Sequence, residues 1–226
     1  MQMVILCGGL ATRLKDIAKN IPKSMIEINS KPFLEYQIEN VKKHEIKDIV
    51  LCVGHLSERI EKYFDDGAKF GVNIKYSQDG KKPLGPIGAL KKAESLLNDD
   101  FFIMYGDSYL SVDFQKVYSF YKKHDKPACM VVYKNYDKYD KSNILVKDDM
   151  VINYGNKNAE YIDYGTSLLN KKTLSYIPEN TSFNTGEFFT KLIEKNDLLA
   201  FEVSERFYHI GTPEALGEIR YFIKNR

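Results

Sequence analysis

The sequence is short of cysteine, histidine and net charge, and each shortage closes off a class of function. Three of its 226 residues are cysteine and four are histidine. Cys7, Cys52 and Cys129 lie far apart within apolar, strand-like runs and share no metal-ligand spacing, so they read as buried thiols in a reducing compartment. His44, His55 and His124 fall at helix ends or in loops and read as solvated surface. There is no G-x-S-x-G, which removes a nucleophile-elbow Ser–His–Asp site, and neither G-x-x-x-x-G-K-[ST] nor G-x-G-x-x-G occurs. With 33 Lys+Arg against 31 Asp+Glu, the net charge of +2 carries no basic stripe and no electrostatic case for nucleic acid or a membrane. The N-terminus lacks the basic-then-apolar layout of a signal peptide, and Val4 to Cys7 is too short to cross a bilayer. The expected location is the cytoplasm.

What remains is an ordinary globular composition, 43% apolar and 28% charged, with ample length for a core. Strand-like and helix-like segments alternate through residues 1–135. Continuous apolar runs at Val4–Cys7, Asp48–Val53 and Phe101–Tyr105 predict strands covered on both faces. Between them, helical spacing predicts helices from Pro32 to His44, from Ser57 towards Gly67, from Ile87 to Leu97 and from Val112 to His124. On the first of these, Gln37 and Asn40 recur with Phe33, Tyr36 and Val41, while Asn73–Tyr76 predicts a brief strand. Short β-like pieces then follow one another from Asn143 to Leu169, and helices resume at Lys171–Tyr176, Thr185–Lys195 and after Pro213. With no repeat or low-complexity linker, 1–226 reads as a single domain.

The chemistry concentrates in the first thirty residues. A buried strand empties into Gly8-Gly9, followed by Thr12 and Arg13, and Lys23 stands ten residues after the arginine. Glycines let backbone N–H groups approach an anion, and an arginine beside them adds a planar charge. This points to a nucleoside triphosphate site, or to a plain strand-to-helix turn with a surface arginine. A second glycine- and proline-rich stretch, Gly80 to Gly88, leads directly into a helix. The strand ending at Gly106-Asp107 places a carboxylate where open α/β sheets put ligand groups.

Gly8-Gly9-Leu10-Ala11-Thr12-Arg13-Leu14 with Pro22-Lys23 resembles the G-G-x-G-T-R-L…P-K signature of the sugar-1-phosphate nucleotidyltransferases. Leu84-Gly85-Pro86-Ile87-Gly88-Ala89 resembles that family's L-G-T-[AG]-G-A loop, and Tyr105-Gly106-Asp107 its strand-ending G-D. The whole chain, including Pro32-Phe33-Leu34-Glu35-Tyr36-Gln37, looks most like the short heptose-1-phosphate guanylyltransferases. The resemblance implies an α/β, three-layer Rossmann-like nucleotidyltransferase fold with a mixed, mostly parallel central sheet. Residues 1–135 would form mainly the NTP-binding part and 136–226 mainly the sugar-phosphate part.

The implied reaction joins an NTP and a sugar 1-phosphate into an NDP-sugar, releasing pyrophosphate, in the supply of surface polysaccharide precursors. The attacking phosphate oxygen is already anionic, so no general base is needed. The work is to hold two anions together and neutralise the transferring phosphorus. By resemblance, Arg13 would clamp the β- and γ-phosphates and Lys23 would bridge the α-phosphate and the sugar phosphate. Asp107 would hold Mg²⁺, and Leu6, Gly8, Gly9, Thr12, Gly85 and Gly88 would surround the nucleotide. Taken singly, Lys23 could be a loop lysine and Asp107 a helix cap.

On the acceptor side the resemblance points to Lys157, Tyr164, Gly165 and Glu187. Lys157 meets either phosphate or water, and Glu187 is either a sugar ligand or a first-turn helix acid. Phe207-Tyr208-His209-Ile210-Gly211-Thr212-Pro213 is similar to the family's W-x-D-x-G-T-P, with His209 in place of the second metal carboxylate. As a ligand His209 would favour Mn²⁺ or Co²⁺ and make activity fall below roughly pH 6.5; otherwise it hydrogen-bonds substrate or water. Two further readings stand beside this one: a cytidylyltransferase for glucose 1-phosphate or phosphocholine, and a nucleotide-binding module without turnover. The base, the sugar and the oligomeric state, a homo-oligomer included, are left open by the sequence.

Overall fold

The computed structural model describes residues 1–9, 14, 20–80, 83–179 and 181–226. The chain begins with β1 (Gln2–Leu6), a small ribbon of β2 (Glu27–Ile28) and β3 (Lys31–Pro32), and α1 (Phe33–Lys43). There follow β4 (Asp48–Val53), α2 (Ser57–Phe64), β5 (Asn73–Gln78), α3 (Gly85–Lys92), β6 (Asp100–Tyr105), β7 (Ser108–Tyr109) and α4 (Phe114–Tyr121). The rest comprises β8 (Ala128–Lys134), β9 (Ile144–Lys147), β10 (Met150–Tyr154), β11 (Tyr161–Asn170), α5 (Thr185–Glu194), β12 (Leu198–Val203), β13 (Tyr208–His209) and α6 (Pro213–Lys224). Lys171–Tyr176, expected as a helix, is a 3₁₀ segment.

Nine strands form one sheet in the order β5-β4-β1-β6-β11-β8-β12-β10-β9. Neighbours from β5 to β6 are parallel, as are β8 and β12, whereas β11 runs antiparallel to β6 and β8, and β10 to β12 and β9. The mixed sheet is as expected, but parallel pairing dominates only its N-terminal half. The reason lies in the connections: parallel neighbours need a crossover, and tight turns force antiparallel ones. Asp148 and Asp149 join β9 to β10 with φ of 49° and 56°, the left-handed pair of a two-residue hairpin turn.

Helices cover both faces, which is why the strands read as unbroken apolar runs. Met3, Ile5, Ile49, Leu51, Phe102 and Met104 pack on one side against Leu34, Ile38 and Val41 of α1, Ile60 of α2 and Val117 of α4. Val4, Leu6, Val50, Phe101 and Ile103 pack on the other against Ile87 and Leu90 of α3 and Phe188 and Leu192 of α5. A third cluster seats Leu216 and Ile219 of α6 on Ile26, Ile28 and Phe33. Each fully buried aliphatic side chain contributes about 1.5–3 kcal/mol. From β1 the chain moves outward to β4 and β5, then returns to place β6 on the other flank of β1. The crevice at such a reversal, beyond the strands' carboxyl ends, is where open α/β sheets bind ligands.

Candidate active site

A cavity of about 470 Å³ opens at that reversal, within the range of small-molecule sites. Its floor is the meeting of two strand ends. The Cys7 amide donates to the Cys52 carbonyl at 2.8 Å, and the Gly106 amide to the Leu6 carbonyl at 3.1 Å. A β-carbon on Gly106 would stand 2.7 Å from the Leu6 oxygen, so glycine is what lets β6 close on β1. One wall is the start of α3, where Gly85 takes φ of 70° and the helix N-terminus adds positive potential. Asp79, just past β5, leans over the turn: its Oδ2 would lie 3.1 Å from a β-carbon on Gly8 and 3.3 Å from one on Gly54. Burial pushes the Asp79 carboxyl above its ordinary pKa, against the lowering effects of the Leu84 amide and Lys92. The Cys7 thiol, also lining the cavity, is pushed by burial up to about 12 and is therefore inert.

Lys23 and Asp107 stand together in the cavity wall, Nζ to Oδ2 at 2.5 Å. The 3₁₀ turn Lys23–Met25 carries the lysine. The aspartate is held from behind by α1, whose two polar residues on the apolar face now have a task. Gln37 Nε2 donates to the carbonyls of Tyr105 (2.9 Å) and Ser108 (2.7 Å), and Asn40 Nδ2 donates to the Leu110 carbonyl (2.9 Å). Side by side, an ammonium and a carboxylate offer one pole for phosphate and one for a cation.

Of the residues singled out in the sequence, Leu6, Gly8, Gly9, Lys23, Gly85 and Asp107 line this one cavity. Thr12 and Arg13 lie outside the described residues. Gly88 does not line it: a β-carbon there would strike the Thr181 carbonyl at 2.6 Å, so its smallness serves the packing of α3 against the 181–183 segment. Tyr164 is turned away as well. It is 1% exposed in the core beside Val131 and Phe207, and its hydroxyl accepts from the Ser111 amide at 3.2 Å. Gly165, with φ of 99°, brings β11 within 3.1 Å of the Ser108 hydroxyl, measured from a β-carbon position. Lys157 is exposed. Glu187 is exposed and takes the helix-terminal option: its Oε2 accepts from the Asn184 amide (3.1 Å) while the Glu187 amide donates to Asn184 Oδ1 (2.9 Å), a capping box.

For His209 the sequence left two options open, a metal ligand or a hydrogen-bonding group, and the structure shows where its ring nitrogens stand. Its Nδ1 accepts the Gly211 amide at 3.0 Å, which occupies that lone pair and leaves the ring proton on Nε2. Burial lowers its pKa below the usual histidine value, against the opposing pull of Asp107 and Asp140. Among the described residues, no group of three His, Cys, Asp or Glu side chains could hold a metal. A carboxylate such as Asp107 together with phosphate oxygens fits a hard cation, while Nδ1 of His209 is already taken by the Gly211 amide.

Sequence reasoning missed Asp79, Tyr105 and Thr185, which also line the cavity. The signal for Asp79 was its place after a strand, the same signal that found Asp107. It was hidden because polar Ser77 and Gln78 extend β5 past the end expected at Tyr76.

The family model of the nucleotidyl transferases matches residues 2–226. The chain belongs to this family. Among its relatives is the D-glycero-alpha-D-manno-heptose 1-phosphate guanylyltransferase of Campylobacter jejuni, 35% identical over 219 residues, covering 95% of this chain and 96% of that protein. The UTP–glucose-1-phosphate uridylyltransferase of Synechocystis is 30% identical over 215 residues, covering 86% of this chain but 55% of its own length. In structure, this nucleotidyl transferase is similar to HddC from Yersinia pseudotuberculosis complexed with GMP-PN, with a TM-score of 0.82 at 25% identity. The match covers 98% of this chain and 99% of that one. No helix among the described residues of the transferase is long and apolar enough to cross a membrane.

Proposed function

We propose that this nucleotidyl transferase moves GMP from GTP to a heptose or hexose 1-phosphate, releasing pyrophosphate and making a GDP-sugar for surface polysaccharide precursors in the cytoplasm. The observation that carries the reading is convergence. The glycine turn after β1, the Lys23–Asp107 pair and the α3 N-terminus meet around one cavity at the sheet's reversal point. An oxygen of the sugar phosphate attacks the α-phosphorus, and the bond to the pyrophosphate oxygen breaks. Lys23 neutralises charge on the phosphates during that exchange, and residues 136–226 supply most of the sugar side. Asp107 would hold Mg²⁺, which would supply further neutralisation of the phosphate charge.

The choice of guanine rests on the guanylyltransferase of Campylobacter jejuni, on HddC in its complex with GMP-PN, and on Asp79. A carboxylate accepts hydrogen bonds and donates none when ionised. Guanine alone presents two adjacent donors, N1–H and the 2-amino group. Uracil and thymine flank one N–H with two carbonyls, and adenine and cytosine set a ring acceptor beside the amino group. A carboxylate over the Gly8 turn therefore favours guanine, which can donate twice to it where the other bases can donate once beside an acceptor.

The test is a matrix of the four NTPs against heptose, mannose and glucose 1-phosphates, scored by pyrophosphate release and product mass. The expected result is a GDP-sugar. Nucleotide binding without pyrophosphate release in any combination would refute transferase activity, and a CDP product would refute the base assignment.

A further inference from the structure

We propose that His209 is a neutral hydrogen-bond donor to the phosphate of the acceptor, rather than a ligand of any metal. This rests on the nucleotidyl-transfer reading above. The decisive geometry is the short segment His209-Ile210-Gly211, in which the chain folds back so that the Gly211 amide donates to His209 Nδ1 at 3.0 Å. A ring nitrogen that accepts an amide proton carries none of its own, so the neutral imidazole bears its proton on Nε2. One nitrogen is then occupied and the other is an N–H. Metal coordination needs a lone pair that neither offers, whereas an anion needs the donor that Nε2 provides.

The lock is written into the sequence as well as the fold. A β-carbon at position 211 would stand 2.9 Å from His209 Nδ1, so only glycine allows the amide this close. Its setting is also defined. β13 pairs antiparallel with β7, which places His209 opposite Ser108, and the Ile210 amide donates to the Asp107 carbonyl at 3.0 Å. Lys23 Nζ lies 3.9 Å from the β-carbon position of Gly211. The histidine thus stands against the Lys23–Asp107 pair.

Which reactant it meets follows from the cavity walls. Lys23 and Asp107 line the cavity beside the glycine turn, but His209 does not. It adjoins Asp107 through the β7–β13 ribbon while lying outside the cavity's lining, so we assign it to the second anionic reactant, which must also reach the transferring phosphorus. An N–H donor beside the Lys23 ammonium would give that phosphate two points of attachment. Where the resembling motif has an aspartate, which attracts a cation and repels phosphate, this chain makes the opposite demand. It has one carboxylate fewer for the metal and one donor more for the acceptor.

The experiment uses the full chain, its His209→Ala and His209→Gln variants, and two calorimetric titrations. One adds Mn²⁺ to the complex with α,β-methylene-GTP, and the other adds mannose 1-phosphate to that same complex. Loss of a hydrogen bond to a charged group should weaken mannose 1-phosphate binding by roughly 10- to 100-fold in His209→Ala. Mn²⁺ affinity should stay within about twofold of the parent, since no ligand is lost. His209→Gln, whose amide sets an N–H near the Nε2 position, should recover most of the acceptor affinity. A tenfold or greater loss of Mn²⁺ affinity in His209→Ala would establish a ligand and overturn the proposal. Unchanged acceptor affinity in that variant would overturn it too. If the parent chain takes no sugar phosphate, inorganic phosphate replaces it. A phosphate affinity lowered by His209→Ala then supports the donor, and an unchanged one refutes it, whereas the pyrophosphate assay judges transferase activity separately.

Discussion

Gly106→Ala tests whether the approach of two strand ends sets the active geometry. The added methyl would sit 2.7 Å from the Leu6 carbonyl oxygen, 3.1 Å from Cys7 Cα and 3.3 Å from Cys7 Sγ. All three belong to the end of β1 and the start of the glycine turn, so relief requires backbone movement. The closest contact falls roughly 0.7 Å short of ordinary van der Waals distance, and overpacking of this kind costs about 1–3 kcal/mol. In a chain of 226 residues that lowers Tm by about 2–12 °C. The displacement also falls between Gly8 and Asp107, the two sides of the cavity. Misplacement approaching 1 Å costs on the order of 10²-fold in rate, so kcat should fall by roughly 10- to 100-fold. Differential scanning fluorimetry and a pyrophosphate-release assay measure the two effects. The control is Gly217→Ala on the exposed face of α6, where a β-carbon meets nothing within 4 Å; it should leave kcat alone and gain about 0.4–1 kcal/mol. Full activity and an unchanged Tm in Gly106→Ala would refute the reasoning.

Lys23→Ala should reduce turnover on the order of 10²- to 10³-fold while the chain stays folded, read as kcat and circular dichroism; near-parental kcat would refute its role. Asp79→Asn replaces one acceptor of the carboxylate by a donor, and the ratio of kcat/KM for GTP over UTP should fall at least tenfold; an unchanged ratio would return base reading to the backbone. Asp163 gives the pH prediction. Burial raises its carboxyl from 3.8 to about 6, against hydrogen bonds from the Gly165 amide, Tyr105 and Tyr154. The folded state then holds the proton more tightly than the unfolded one, so this residue's contribution to stability falls as pH rises from about 4 through about 6. The gap is worth at most about 3 kcal/mol. Asp163→Asn, compared with the parent, should therefore show a more favourable Tm difference at pH 7.5 than at pH 4.5. An equal difference at both values would count against it.

The backbone was the most legible part of the sequence. Asp48–Val53 is a strand at the expected bounds because both faces are covered and every interior position is apolar. Legibility failed where polar residues continue a strand or a bulge resets its phase. β5 runs on through Ser77 and Gln78, which hid Asp79. In β11 the register with β8 shifts between Asp163 and Ser167, and Gly165 takes a left-handed φ. Strand alternation across such a break no longer tells which face a side chain takes. Tyr164 lies in the core and Gly165 packs against the Ser108 side chain, so the two cannot both face the cavity as the sequence reading had them. Glu187 shows a different limit: a first-turn acid and a pocket acid look alike until the Asn184 amide is seen to hold it.

The sequence by itself determined the family and the alternating α/β plan, and it marked Gly8, Lys23 and Asp107 as candidates. A glycine turn, a loop lysine and a strand-ending carboxylate are local features that can be read one by one, but only the fold brings them to one cavity. The tertiary structure decided what depends on distant neighbours. It set Asp79 over Gly8, gave Gln37 the carbonyls on either side of Asp107, and aimed the Gly211 amide at His209. A side chain's role is fixed by what stands within about 3 Å of it. For these residues most of those neighbours arrive from dozens of positions away, and for His209 the deciding amide depends on how the ribbon folds back.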